Sequence, residues 1–399
     1  MASGDKKKRT NAVSRVPRPG ILLPWVGPIG VELQSMITNN PIWDRSAWDG
    51  LPELTGRVKT DVCVVGLGGS GLSCLEELAG RGIAAIGIDA GKVGGAAAGR
   101  NGGFLLAGSA AFYHHSNETI GREKARETYA ATLAEIDRLV ERWPEVVRRT
   151  GSLRIAASPE EESDCRVQLA AMEADGWPAS WYEGPEGRGL LIPSDGVFQP
   201  LTRCRHLATA LLSQGIPLYE ETPALEISGE KVVTPRGVID CRVVIVAVDG
   251  RLEMVLPELA GQVRTARLQM LATAPAPEVS FPRPVYRRWG YEYWQQLPGG
   301  EIALGGFRDR GGDAEWTTTP TPSPTIQTAL ERFLREDLQV TAPITHRWAA
   351  SVGYTSTGVP ISQQVRPGVW AIGGYNGTGN IIGSLLGRRV ARVVAMTLA

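Results

Sequence analysis

The segment Thr60-Asp-Val-Cys-Val-Val-Gly66-Leu-Gly68-Gly69-Ser70-Gly71 carries the clearest chemistry in the chain. An apolar run ends in glycines at G-x-G-x-x-G spacing, and a helical apolar pattern follows. The chemistry is capture of a dinucleotide. Gly66 permits a sharp turn, Gly68 keeps side-chain bulk off the pyrophosphate, and Gly71 lets helix and strand pack closely. Gly69 and Ser70 complete the turn, where free helix-start N–H groups and the positive end of the helix dipole meet phosphate. A second apolar run, 83–88, ends in Asp89 and Ala90, and an acid there can accept hydrogen bonds from a ribose diol.

Those residues need a strand over 57–66, a helix over 70–81 and a second strand over 83–89. Further along, the spacing predicts a helix over 120–149, kinked or split by Pro144, a strand over 151–157 and helices over 159–176 and 201–214. The run 242–248 reads as a buried parallel strand. Strands dominate 265–307, with Leu297-Pro-Gly-Gly300 as a hairpin turn. A helix over 326–337, a strand over 369–372, a glycine loop over 373–379 and a terminal helix close the chain.

The order implies an α/β architecture: a Rossmann-like nucleotide domain interrupted by an α+β substrate domain on an antiparallel or mixed sheet. The nucleotide domain takes 57–112, 194–252 and 345–399. The substrate domain takes 113–193 and 253–344. A basic tail, 1–20, is expected to be disordered, and an irregular arm over 21–56 to bury Trp25, Trp43 and Trp48 on the body.

The chain has 399 residues, and Lys+Arg and Asp+Glu both total 42, so net charge is zero. That removes any global attraction to nucleic acid or anionic membrane. No apolar run reaches the length of a membrane span. The 5 cysteines are scattered without C-x-x-C spacing, which fits reduced thiols in a cytoplasmic protein.

On these residues the sequence resembles the D-amino-acid-oxidase-like family of FAD-dependent oxidoreductases. It is most similar to the branch with gamma-glutamylputrescine oxidase and the glycine and sarcosine oxidases. The resemblance runs from about Trp43 to the C-terminus. It rests on the glycine fingerprint, Gly99-Arg100-Asn101-Gly102-Gly103, Gly151-Ser-Leu, Gly196-Val-Phe-Gln-Pro200, Pro257-Glu-Leu-Ala-Gly261, Arg267-Leu-Gln-Met270 and Gly373-Gly374-Tyr-Asn376-Gly377-Thr378-Gly379. It implies a glutathione-reductase-like domain holding FAD. Asp89 and Ala90 then lie at the adenosine ribose, Ala224 near the adenosine, Gly99 to Gly103 by the isoalloxazine, and Gly374 and Asn376 to Gly379 at its pyrimidine edge. A glycine turn that opens a helix suits that edge, because negative charge gathers there on reduction.

The sequence departs from the family in three places. Trp348-Ala-Ala-Ser-Val-Gly-Tyr354 lacks the cysteine that attaches FAD in some relatives, so non-covalent FAD is expected. Thr378 stands where histidine is common. No lysine follows Lys231 to assist oxygen reduction, although oxygen remains the expected acceptor.

The implied reaction is hydride transfer from the carbon of a primary or secondary amine or amino acid to flavin N5. The imine then hydrolyses. No metal is required. Tyr291, Tyr293 and Arg308 are the substrate-orienting candidates: the tyrosines share a strand face, and the guanidinium can grip a carboxylate with two prongs. His114 and His115 are weaker candidates. Two other readings stay open: a flavoprotein tailoring a carrier- or peptide-bound amine, and a flavin-binding partner protein without turnover. The composition leaves an oligomer open.

Overall fold

The computed structural model describes residues 39–45 and 47–398. The basic tail, Trp25 and the first part of the arm lie outside the described residues.

The nucleotide half is built on a six-stranded sheet in the order Leu218–Tyr219, Ala85–Ile88, Val62–Val65, Val243–Val246, Val369–Gly373 and Ile361–Arg366. The first five strands are parallel, and Ile361–Arg366 runs antiparallel at the edge. The central strands Val-Cys-Val-Val and Val-Val-Ile-Val are buried along their whole length, as strands covered on both faces must be. Helices Gly69–Ala79 and Ser384–Leu398 pack together on one face, Gly387 lying against the Ser70 backbone.

The expected first strand, 57–66, is two strands. Gly56–Lys59 pairs with Gly237–Asp240 in a separate four-stranded sheet, and only Val62–Val65 enters the parallel sheet. The physical reason is Thr60-Asp61, where the Thr60 amide bonds to Asp240 and the Asp61 amide to Ala84. The backbone thereby changes partner sheets within two residues.

The second half is an eight-stranded mixed sheet. Its order is Ile344–Thr355, Val263–Pro275, Glu301–Gly306, Glu292–Gln296, Val285–Arg287, Ser152–Ile155, Gly187–Ile192 and Ser180–Gly184. One face carries Leu153, Val285, Trp294, Leu304 and Leu271 against helix Pro324–Glu336, which presents Ile326, Leu330, Phe333 and Leu334. Each such side chain contributes about 1.5–3 kcal/mol on burial.

Two strands of this sheet were not foreseen, Ser180–Gly184 and Gly187–Ile192; they alternate weakly in hydrophobicity. The expected boundary before 345 falls within the sheet's edge strand, because Ile344–Thr355 pairs along its length with Val263–Pro275. The helix expected over 120–149 is a short helix, Tyr113–Ile120, then Arg122–Arg142. Gly121 at φ 85° breaks the first, and Pro144 lies beyond the end of the second rather than at a kink. In the arm, Ile42 and Trp43 are fully buried, and the Trp48 indole donates to Glu220 Oε1 at 2.8 Å.

Candidate active site

Three glycine-bearing segments, distant in sequence, converge at one end of the parallel sheet. The first turn has Gly66 at φ 108°, where a β-carbon would lie 2.6 Å from the Ala247 carbonyl oxygen. A β-carbon on Gly71 would collide with the Gly66 carbonyl oxygen. The first bond into helix Gly69–Ala79 runs from the Leu72 amide to the Gly68 carbonyl at 3.0 Å, and Gly68 offers no capping side chain. The amides of Gly69, Ser70 and Gly71 have no acceptor among the described residues. Unbonded first-turn amides behind side-chain-free glycine form a cradle for a phosphate pair.

Asp89 ends the next strand. Its carboxylate accepts the Leu67 amide at 2.7 Å and the Gly91 amide at 2.8 Å. Burial, with Glu220 and Glu221 nearby, pushes its pKa up against those two bonds. Each oxygen retains acceptor capacity for a hydroxyl. Ala90 is exposed beside it. The Thr222 amide bonds the Asp89 carbonyl at 2.8 Å, which brings the half-buried Ala224 segment alongside. These residues fit an adenosine dinucleotide.

The second segment is Gly99 to Gly103. Position 68 faces it, with a would-be Gly68 β-carbon 3.3 Å from the Ala98 Cβ. Asn101 and Asn380 exchange carboxamide hydrogen bonds at 3.0 and 3.1 Å, and Asn380 also donates to the Phe104 carbonyl at 3.0 Å. This clamp ties the loop to the third segment. A β-carbon on Gly102 would lie 3.2 Å from Tyr293, and one on Gly103 2.6 Å from the Phe198 carbonyl oxygen. Arg100 lies in the same loop, and its side chain has protein partners. Its guanidinium donates to the Ala349 carbonyl at 2.8 Å and to Asn39, and so fastens the arm and the sheet edge.

The third segment is Gly374 to Gly379. Gly374, Asn376 and Gly377 have φ of 63°, 55° and 89°. The Asn376 side chain accepts the Thr355 amide at 2.9 Å and donates to the Gly358 carbonyl at 3.0 Å. The Thr378 hydroxyl closes its own turn onto the Tyr375 carbonyl at 2.7 Å. Both side chains hold the loop, which leaves the amides of Gly377 and Gly379 without an acceptor among the described residues. Asp249 supports the loop from below through the Tyr375 amide at 2.9 Å and the Gly353 amide at 3.2 Å, and burial pushes its pKa to about 6.

Above these loops lies the other face of the eight-stranded sheet. Trp348, Met270, Gly305, Tyr293 and Tyr286 are register partners across five neighbouring strands. The Trp348 indole donates to the Arg100 carbonyl at 2.8 Å, so this face looks onto the Gly99 loop. Tyr293 stacks on Tyr286, with ring centroids 6.4 Å apart, and meets Phe104 edge-on. Burial raises the pKa of both phenols, and that of Tyr354 to about 12, so all three hold their protons at neutral pH.

Tyr291 is not on that strand. It follows the tight turn Arg288–Gly290, and the strand starts at Glu292, so the expected shared face with Tyr293 does not form by strand alternation. Trp289 in the turn has φ 48°, which breaks the extended run. Tyr291 instead meets Arg308, whose guanidinium lies 5.9 Å from the Tyr291 ring, 4.8 Å from Trp316 and 5.0 Å from Tyr354. Arg308 forms no hydrogen bond or ion pair among the described residues. Its loop, Arg308–Glu315, is pinned at both ends. Arg288 grips Asp309 at 2.8 and 3.0 Å, and Arg267 grips the buried Glu315 at 2.6 and 2.9 Å. A guanidinium on an anchored loop, with no described counter-ion and aromatic rings around it, can bind an anion.

His114 and His115 sit behind Phe112, not among these tyrosines. With Asp164 they bring three ligand atoms within 4.8 Å of one another. Sequence reasoning missed Tyr286, Tyr354, Trp316 and Asp195. Strand pairing brings in Tyr286 and Tyr354, and loops bring in Trp316 and Asp195, none of which leaves a local sequence signal.

Asp195 is 2% exposed and accepts the Ala107 amide at 2.9 Å and the Ser152 hydroxyl at 2.6 Å. Burial raises its pKa from 3.8 to about 6. A raised carboxyl pKa means that stability is gained below the unfolded value and lost as pH rises through about 6. Asp195→Asn should therefore flatten the stability profile between pH 4 and 7, removing a slope worth about 3 kcal/mol. Denaturant titrations across that range check it, and an unchanged slope would count against the buried carboxyl.

The family described as FAD dependent oxidoreductase matches residues 61–393. A probable oxidoreductase OrdL of Rhizobium meliloti is 28% identical over 86% of this chain and 84% of its own length. The gamma-glutamylputrescine oxidoreductase of Escherichia coli is 24% identical over 86% of this chain and 85% of its own. Among solved structures, glycine oxidase from Geobacillus kaustophilus is similar with a TM-score of 0.70 at 21% identity, covering 84% of this chain and 94% of that one. L-proline dehydrogenase from P. horikoshii follows at 0.69 and 18%, covering 87% and 95%. At those identities the structures establish the fold: a Rossmann-like FAD domain with an inserted mixed-sheet domain. None of the described helices is long and apolar enough to cross a membrane. The family match spans every loop of the cradle, and the chain belongs to the FAD-dependent oxidoreductases of the D-amino-acid-oxidase type.

Proposed function

We propose that the protein oxidises a small primary or secondary amine that carries a carboxylate, an amino acid in the broad sense. The unpaired Arg308 in its cage of Tyr291, Trp316 and Tyr354 is the observation that carries this reading. Bound FAD supplies the hydride acceptor. The chain's own residues bind, orient and exclude water. Arg308 takes the carboxylate. The protonated phenols of Tyr286, Tyr293 and Tyr354 line the approach and donate to substrate oxygens. Gly102 and Gly103 keep the approach free of side-chain bulk.

Under this reading the first-turn amides take the pyrophosphate, Asp89 the ribose, and the turn from Gly374 to Gly379 the pyrimidine edge. The parallel sheet serves as the FAD domain and the eight-stranded sheet as the substrate domain. FAD is held non-covalently: no cysteine lies on Ile344–Thr355, and all five cysteines are buried. Two of the solved neighbours are an oxidase of glycine and a dehydrogenase of L-proline, and this supports an amino-acid substrate.

The test is anaerobic reduction. Purified yellow protein is mixed under argon with a panel of amino acids and amines lacking a carboxylate, and bleaching is followed. Carboxylate-bearing amines should bleach it faster, and air should restore the colour if oxygen is the acceptor. Equal bleaching by both groups, or by neither, would overturn the reading.

A further inference from the structure

Arg154, at the opposite end of the tyrosine row, is another cation that forms no ion pair among the described residues, although its charge reaches Asp195 and lowers that carboxyl's pKa against the rise from burial. Arg154 is the register partner of Tyr286, which pairs in turn with Tyr293. Its guanidinium lies 4.4 Å from the Phe112 ring and 5.6 Å from the Tyr286 ring. Its one hydrogen bond runs from Nη1 to the Gln168 side-chain oxygen at 3.1 Å. No carboxylate among the described residues comes within ion-pair distance. The remaining donors border a cavity lined by Arg154, Tyr286, Gln168, Ser109, Ser116 and Tyr129.

Asp195 also lines this cavity. Its oxygens already accept the Ala107 amide and the Ser152 hydroxyl, and it forms no direct pair with Arg154. A partly buried guanidinium close to two aromatic rings, with donors unused among the described residues, has capacity for an anion. The cavity around it supplies neutral hydroxyl and amide groups that can bond the same anion.

We propose that the substrate carries a second carboxylate, which pairs with Arg154 while the first is held by Arg308. The inference deepens the amino-acid reading above and rests on it. Arg154 lies about two strand spacings, roughly 10 Å, from the Tyr293 strand. The acceptable ligand is therefore an elongated dicarboxylic amine, not a compact one.

Binding of dicarboxylates that cannot be oxidised tests this separately from turnover. Calorimetry on the FAD-loaded protein compares succinate, glutarate, adipate and pimelate with monocarboxylates of equal length. At least one dicarboxylate should bind ten-fold or more tightly than its monocarboxylate counterpart. Arg154→Gln should abolish that advantage while leaving monocarboxylate affinity unchanged, and Arg154→Lys should restore part of it. Equal affinities in the wild type, or an advantage that survives Arg154→Gln, overturns the proposal. Bleaching by an amine without a preference for dicarboxylates, in a protein that binds no dicarboxylate tightly, rejects this inference and leaves the amine-oxidising reading intact.

Discussion

Gly71→Ala is expected to abolish FAD binding and to cost about 3–5 kcal/mol of stability. The added methyl would run into the Gly66 carbonyl oxygen. Gly66 cannot retreat. It sits at φ 108°, and the space beside its own α-carbon is closed by the Ala247 carbonyl, which belongs to the turn after the neighbouring parallel strand. Backbone therefore opposes backbone, and the helix must tilt off the sheet. Gly387 packs on the Ser70 carbonyl, so a tilt also disturbs helix Ser384–Leu398.

Gly68→Leu separates the two effects. The atom facing a β-carbon there is the Ala98 Cβ at 3.3 Å, and the remainder opens onto the cradle. The leucine occupies space that the pyrophosphate needs without straining the backbone. This variant should keep the apo protein's stability within about 1 kcal/mol and lose stoichiometric FAD. Absorbance of released flavin and denaturant unfolding of the apo proteins give the two readouts. A Gly68→Leu protein that still carries one FAD per chain would place the cofactor elsewhere.

The nucleotide half was legible because its signals are local. Gly66, Gly68 and Gly71 announce themselves by spacing, and the strand Val62–Val65 by an unbroken apolar run. The substrate face was half legible. Tyr293 and Arg308 stand out as chemistry-bearing residues, yet Arg308 owes its cage to Trp316 and Tyr354, the second brought in by an edge strand from a later part of the chain. Arg154 and Tyr286 meet only because strands 152–155 and 285–287 pair in parallel, a contact no periodicity encodes. Side-chain direction was the other gap. Arg100 and Asn101 are consecutive in a glycine-rich loop, but one ties down the arm and the other the C-terminal turn. Spacing locates such residues and cannot say which way they turn.

Arg308→Gln is expected to lower kcat/KM for a carboxylate-bearing amine by about 10²–10³-fold, or roughly 3–4 kcal/mol. The loop that carries the residue is held by the Arg267–Glu315 and Arg288–Asp309 pairs, neither of which involves Arg308. The substitution therefore removes the guanidinium fork without freeing the loop. Arg308→Lys retains the charge and loses the planar two-donor geometry, so an intermediate loss is expected. An amine without a carboxylate has nothing to lose at this position, and its slow reduction should be the same in all three proteins. The neighbouring phenols sharpen the test. Burial raises the pKa of Tyr293, and that of Tyr354 to about 12, so neither serves as a base for the substrate ammonium near neutral pH. The rise of kcat/KM with pH should then follow the amine's own pKa and keep its midpoint in the Arg308 variants. Equal losses for amines with and without a carboxylate would remove Arg308 from the binding role, because a general disturbance of the sheet face would penalise both.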